Sequence, residues 1–211
     1  MDILIENISK EIDGKIVFSD IDWQIKHNSL VAIKGNSGTG KRTLLNIISL
    51  LEKPSSGKIL FDKTDVTNIS IKKRRNYLKE ELGFVFQNYG LLENSTIKQN
   101  LRLALKFKKL NRKMKHEQML EVMEQMNLSD VDLQAKVSTL SGGEQQRVGL
   151  ARCVLKNSNL IIADKPTAAL DSTNERIIMT KFKELQAKGH TIVLTTHSEN
   201  YDEWFDDILH L

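Results

Sequence analysis

The sequence predicts a wound α/β domain with an antiparallel β section near its N-terminal end and an inserted helical lobe. Three observations carry that expectation. First, Val31-Ala32-Ile33, Leu160-Ile161-Ile162-Ala163 and Thr191-Ile192-Val193-Leu194-Thr195 are short apolar runs without the alternation of a half-solvated strand. They read as strands buried on both faces, as in a parallel sheet. Second, helical patterns alternate with them: Leu44, Leu45, Ile47, Ile48 and Leu51 after the first run, and Ile178, Phe182 and Leu185 before the last. Strand, helix, strand order implies a wound core. Third, the stretch from about Leu92 to Leu155 has helical spacing and no clear strand, which marks it as an insertion.

In chain order, Ile3 to Ile5 and Lys58 to Phe61 look like antiparallel strands, with Gly14 and Pro54-Ser55-Ser56-Gly57 as turn signals. The whole chain, 1–211, is expected to be a single domain, with a core lobe over about 1–91 and 156–211 and a helical lobe over about 92–155. At 211 residues, with 40% hydrophobic and 27% charged, it has enough apolar material for a core and is neither a disordered tail nor a coiled coil. The densest apolar stretch, Leu44 to Leu51, is interrupted by Asn46 and Ser49. It falls well short of the roughly 18 residues needed to cross a bilayer. Acidic Asp2 and Glu6 sit where a signal peptide would carry positive charge, so no export is expected. Cys153 stands alone, which excludes an internal disulfide, and no Cys/His cluster reads as a zinc site. A reducing cytoplasm is the natural compartment.

A net charge of +4 is too mild to argue for nucleic acid, and none is expected as a partner. Its distribution is uneven. Eight Lys/Arg lie between Lys98 and Gln118 against Glu117 alone, and Lys72 to Lys79 adds five more, while Glu199, Asp202, Glu203, Asp206 and Asp207 gather at the end. The basic stretch is either a solvated helix face or a surface turned toward anionic headgroups or an acidic partner.

Two motifs carry chemistry. After Val31-Ala32-Ile33 comes Gly35-Asn36-Ser37-Gly38-Thr39-Gly40-Lys41, followed by Arg42, Thr43 and a helix pattern. Three glycines let the backbone curl so that successive N–H groups point inward, and Lys41 adds a fixed positive charge. Such a loop is built for a nucleoside triphosphate. The second motif, Leu140-Ser141-Gly142-Gly143-Glu144-Gln145-Gln146-Arg147, places Ser141 at a helix N-cap with Glu144 three residues on, a capping box. Gly142 and Gly143, just inside the cap, leave the helix N-terminus bare enough for a phosphate to approach closely.

With these motifs the chain resembles, end to end, the nucleotide-binding subunit of an ABC transporter. Gln87 in Phe84-Val85-Phe86-Gln87 resembles the Q-loop, Leu160 to Asp164 the Walker B strand, Ala169-Leu170-Asp171 the D-loop, and His197 in Thr195-Thr196-His197-Ser198 the switch histidine. Finer texture, Leu44 to Pro54 and Gly83 to Leu92, resembles the lipoprotein-release and macrolide-exporter branch, especially the small ATPases of lactococcin 972-type bacteriocin exporters. The resemblance implies a P-loop NTPase with a RecA-like core, binding ATP with Mg²⁺ held near Asp164 and Gln87. It implies that Lys165, His197, Gln87 and Asp171 occupy catalytic positions, and that two copies pair head to tail, the loop of each facing Ser141-Gly142-Gly143-Glu144 of the other. It also implies a separate membrane permease, with the chain on the inner face of the cell membrane through that partner.

Three positions depart from the family pattern. Arg42 replaces the Ser or Thr whose hydroxyl ligates magnesium, and Thr43 does not substitute, since one step along a helix turns the side chain by about 100 degrees. Water can complete the metal's shell, or the guanidinium can pair with phosphate. Lys165 replaces the Glu that polarises the attacking water, and an ammonium accepts no proton. Ile12 stands at the usual place of a base-stacking aromatic, while nearby Phe18 reads as core. Nucleotide binding is therefore expected to survive better than hydrolysis. The rival reading is a regulatory or scaffold module that closes on ATP without turnover. A soluble relative acting on ribosomes or DNA fits less well, because it needs two such domains or long coiled-coil insertions.

Overall fold

The computed structural model describes residues 1–211. Strands β1 (Ile3–Ile12) and β2 (Lys15–Ile25) form an antiparallel hairpin. The intervening Asp13 and Gly14 both have positive φ, at 51° and 75°, the left-handed pair that a two-residue type I′ turn requires. On the other side of β1 lie β4 (Ser56–Phe61) and β5 (Thr64–Asp65), so this sheet runs β2-β1-β4-β5. The second sheet runs β6-β7-β8-β3-β9, from β6 (Leu82–Val85), β7 (Leu160–Asp164), β8 (Thr191–Thr195), β3 (Leu30–Lys34) and β9 (Asp207–His210), and every pairing in it is parallel.

Burial of this sheet on both faces is visible residue by residue. Leu30, Ala32, Ile161, Ala163, Ile192 and Leu194 enter one core, built with helices α3 (Ile97–Ala104), α4 (Arg112–Gln125), α5 (Gly142–Lys156) and α6 (Ser172–Ala187). Val31, Ile33, Leu160, Ile162 and Val193 enter a second core with α1 (Lys41–Ile48) and the antiparallel sheet. Alternate residues thus serve opposite layers, which is why none of these positions is polar. Helix α2 (Ile71–Glu80) buries no residue and carries the basic run from Lys72.

Two sequence expectations need correction. Helix α1 ends at Ile48, short of Leu51: Leu50 takes φ 61°, and the carbonyl of Asn46 accepts from both Leu51 and Glu52. Leu51 is left outside the core, 47% exposed. Ser56 and Gly57 belong to β4 and not to a turn. Gly57, at φ 88°, lies where β1 and β4 slip register between Glu6 and Ser9. This is a bulge, for which a left-handed glycine is suited. The acidic end is tied into the fold: Asp202 pairs with Lys34, Asp206 accepts from the N–H of Leu30, and Asp207 accepts from Trp23 Nε1 at 2.7 Å. No helix is long and apolar enough to cross a membrane.

A Cβ at Gly57 would lie 2.3 Å from the carbonyl oxygen of Asn7. Gly57→Ala is therefore expected to destabilise the chain by about 1–3 kcal/mol, read as a lower urea midpoint with an unchanged slope. An unshifted midpoint would show that the bulge carries no such constraint.

Candidate nucleotide site

The parallel sheet delivers its functional residues at the carboxyl ends of its strands, where ligands of open α/β sheets bind. β3 runs into the phosphate loop, in which Gly35, Gly38 and Gly40 have φ of 144°, 85° and 93°. Gly40 is also the N-cap of α1, and no side chain caps that helix, so its first-turn N–H groups keep no side-chain acceptor. The loop cannot swell there: a Cβ at Gly40 would lie 2.6 Å from Val17 and 2.8 Å from Phe18. Phe18 is buried, as expected, and β2 forms a wall behind the loop. Thr39 Oγ1 donates to the Asn36 carbonyl at 3.1 Å across Ser37 and Gly38. Lys41 is buried, with Nζ folded back to the carbonyls of Gly35, at 2.8 Å, and Asn36. Burial, and then the neighbouring Lys165, hold its pKa below the usual lysine value. Phosphate oxygens are the natural replacement for those carbonyls.

Asp164 stands at the end of β7, opposite Thr195 in the β7–β8 ladder. Thr195 Oγ1 donates to Asp164 Oδ1 at 2.9 Å and accepts from the N–H of Lys165 at 2.9 Å. Lys165 itself takes a left-handed φ of 44°. Asp164 Oδ2 receives Nε–H of Arg42 at 2.6 Å, an ion pair between α1 and β7. Arg42, Gln87 and Asp164 line one cleft of about 540 Å³, with Gln87 exposed at its edge. Thr43 is half-buried on α1 and lines no part of that cleft.

These residues do not fit Mg²⁺ as the resemblance implies. Both oxygens of Asp164 are engaged, one by a guanidinium, and position 42 offers no hydroxyl. No group of three or more His, Cys, Asp or Glu stands close enough together to hold a metal. Magnesium wants several hard oxygen ligands, and Gln87 alone does not supply them.

His197 follows β8 on an exposed segment. Partial burial, then the charges of Lys165 and Lys41, lower its pKa, against an opposing contribution from the backbone at Gly35. The phosphate-loop lysine, Lys165 and His197 therefore share one electrostatic neighbourhood. Ile12, by contrast, ends β1 at the hairpin tip and is 44% exposed.

The second motif forms α5 as expected. Ser141 caps it, the N–H of Ser141 donates to Glu144 Oε2 at 2.8 Å, and the Ser141 hydroxyl does so at 2.7 Å. Those bonds lower the Glu144 pKa. The glycines do more than bare the helix. Gly143 is buried, and a Cβ on it would lie 2.2 Å from Asn174 Oδ1, while one on Gly142 would lie 2.6 Å from the Tyr89 hydroxyl. Asp171 caps α6, accepting from Asn174 N at 2.9 Å and Asn174 Nδ2 at 2.7 Å, and those bonds lower its pKa. Asn174 Oδ1 in turn accepts from Arg147 at 3.2 Å. No hydrogen bond or ion pair joins Ser141, Gly142 or Gly143 to the phosphate loop, and none of the three lines the cleft. Thr195, Asn174 and Tyr89 are the structural participants that the motif reading passes over. Only Thr195, a polar residue closing an apolar strand, carries a sequence signal.

A parallel sheet whose β3 feeds a glycine loop capped by α1 defines a P-loop nucleotide-binding protein. The chain belongs to the ABC transporter family, which its residues 18–168 match. It is 39% identical over 201 residues to the "Macrolide export ATP-binding/permease protein MacB" of Campylobacter jejuni subsp. jejuni serotype O:23/36 (strain 81-176), covering 92% of this chain and 30% of that protein. To the protein of the same name from Salmonella choleraesuis (strain SC-B67) it is 38% identical over 182 residues, covering 86% of this chain and 28% of that one. The chain thus spans less than a third of the length of these curated relatives. The dimeric, post-hydrolysis structure of the ATP-binding cassette MJ0796 bound to ADP and phosphate superposes with a TM-score of 0.89 at 32% identity, covering 99% of this chain and 94% of that one. The structure of cbiO1 from Clostridium perfringens, part of the ABC transporter complex cbiONQ, gives 0.90 at 27% identity, covering 99% and 83%. The fold is that of an ABC ATPase.

If Lys165 helps hold His197 neutral, Lys165→Met is expected to raise the His197 midpoint in a proton NMR titration, because a charge opposing protonation is removed. An unmoved midpoint would place the Lys165 ammonium too far away to matter.

Proposed function

We propose that this chain is the ATP-binding unit of an export transporter, acting as a head-to-tail dimer that drives a membrane permease lying outside these residues. The observation that carries this reading is the separation of two phosphate-facing motifs on one chain: the Lys41 loop and the capped start of α5 share no hydrogen bond or ion pair. Two copies turned head to tail bring each loop against the other's Ser141-Gly142-Gly143. The dimeric MJ0796 cassette supports the pairing, and the export named for the MacB relatives supports the direction of transport. A peptide, lipid or antimicrobial is the class of cargo, and the inner face of the membrane is where such a unit works. The basic stretch from Lys98 to Lys115 and α2 supply the surface for that side.

Within the dimer, the glycine loop and Lys41 bind the phosphates, and the neutral form of His197 offers a donor or acceptor near them. Lys165 stands where a water-polarising carboxylate serves in the family, and an ammonium takes no proton from water. Binding ATP and hydrolysing it slowly is the behaviour proposed for this chain, which also keeps alive the regulatory module that closes without turnover.

ATP is expected to convert the chain to a symmetric dimer in light scattering, and a chain that stays monomeric at saturating ATP would contradict the half-site arrangement. For turnover, the double change Arg42→Ser with Lys165→Glu is expected to raise steady-state phosphate release by at least about 100-fold, the lower end for a positioned base. Each single change is expected to recover much less. Brisk turnover by the unmodified chain would sink the idea that Lys165 occupies the water-polarising position.

A further inference from the structure

We propose that Arg42 takes the charge-bridging place of a divalent cation, so that this chain binds nucleoside triphosphate without needing a metal. The inference rests on the reading that the phosphate loop binds such a nucleotide. Arg42 follows Lys41 at the start of α1, and its Nε–H lies 2.6 Å from Asp164 Oδ2. The carboxylate is only 13% exposed while the arginine side chain is 65% exposed, so the guanidinium covers Asp164 and presents its remaining edge to solvent. A guanidinium has five N–H donors in a fixed fork, and here only Nε makes a bond within the chain. The Nη groups, which make no bond within the chain, are thus available to a second acceptor. A planar fork suits phosphate oxygens, and it joins carboxylate to phosphate as a bridging cation does.

Charge and ligand supply both argue against a metal taking that place. Arg42 is paired with Asp164, and Lys41 lies within electrostatic reach of both Asp164 and Lys165, so three cations share the neighbourhood of that carboxylate. A divalent cation would enter a site already positive and would have to displace the ion pair to reach Oδ2. The other oxygen, Oδ1, is engaged by the Thr195 hydroxyl. Arg42, tethered beside Lys41, instead supplies positive charge that a triphosphate requires.

The test is calorimetric titration of the full chain with ATP, in EDTA and in millimolar MgCl₂, for the unmodified protein and Arg42→Ser. The substitution is at an exposed side chain and leaves both cores untouched. The unmodified chain is expected to bind with an affinity that changes less than about threefold between the two conditions, under roughly 0.7 kcal/mol. Arg42→Ser is expected to bind at least about tenfold more weakly in EDTA, the contribution of one hydrogen bond between charged groups, and to regain affinity when Mg²⁺ is added. Binding by the unmodified chain that depends on Mg²⁺ as strongly as in the serine variant would overturn the proposal. So would an Arg42→Ser variant that binds as tightly in EDTA as the unmodified chain. Absence of ATP binding by the unmodified chain in both conditions would instead remove the nucleotide reading itself, and this proposal with it.

Discussion

The alignment of β7 with β8 is the constraint on which the candidate site depends. In that parallel ladder Asp164 falls opposite Thr195, and one hydroxyl then does two jobs. It donates to the carboxylate, fixing its direction, and it accepts from the N–H of Lys165, holding the left-handed turn that carries the chain away from the sheet. A slip of one residue would send Thr195 to the other face and break both bonds. Because Asp164 is held, Arg42 can reach it across the cleft and tie the first turn of α1 to the end of β7. The phosphate loop is thereby fixed at both its ends, by β3 on one side and by this ion pair on the other.

Electrostatics follows from that geometry. Like charges gathered near one carboxylate repel one another at the effective dielectric of a protein surface, so their approach is costly unless an anion joins them. Lys41 partly escapes the cost by bonding to loop carbonyls, and Arg42 by its exposure to water. His197, like Lys41, gives up its proton more readily. The site therefore favours negative charge. That preference belongs to Lys165 and Arg42, two of the three positions at which the sequence departs from the pattern that the resemblance implies, as much as to the loop itself.

Much of this was legible in the sequence, and the reasons for what was not are physical. Strands β3, β7 and β8 announce themselves because burial on both faces removes every polar residue from their middles. The edge strands β6 and β9 do not. One is four residues long and contains Gly83, and the other, Asp-Ile-Leu-His, is partly exposed and polar at both ends. Loop chemistry was readable because phosphate binding restricts residue type and spacing together. The Arg42–Asp164 bond was not, since it joins positions 122 residues apart and a guanidinium is long enough to choose among several acceptors. Gly57 misleads for a related reason: a left-handed glycine in a bulge has the same sequence signature as one in a turn.

The start of α5 shows why glycine is needed twice on one helix and for different neighbours. Gly142 makes room for the Tyr89 hydroxyl and Gly143 for the side chain of Asn174. Tyr89 lies two residues beyond Gln87, which lines the cleft, and Asn174 is bonded to Asp171 at the cap of α6. Arg147 on α5 closes the circuit by donating to Asn174. The loop after Gln87, the α6 cap and the α5 N-terminus thus meet within a single chain. A side chain at position 142 would strike the Tyr89 hydroxyl, so the close approach of Tyr89 to α5 requires Gly142. Ser141 meanwhile remains exposed, with no hydrogen bond to its own phosphate loop. Two close-packed glycines and a capped start give α5 a helix N-terminus of the kind that suits a phosphate.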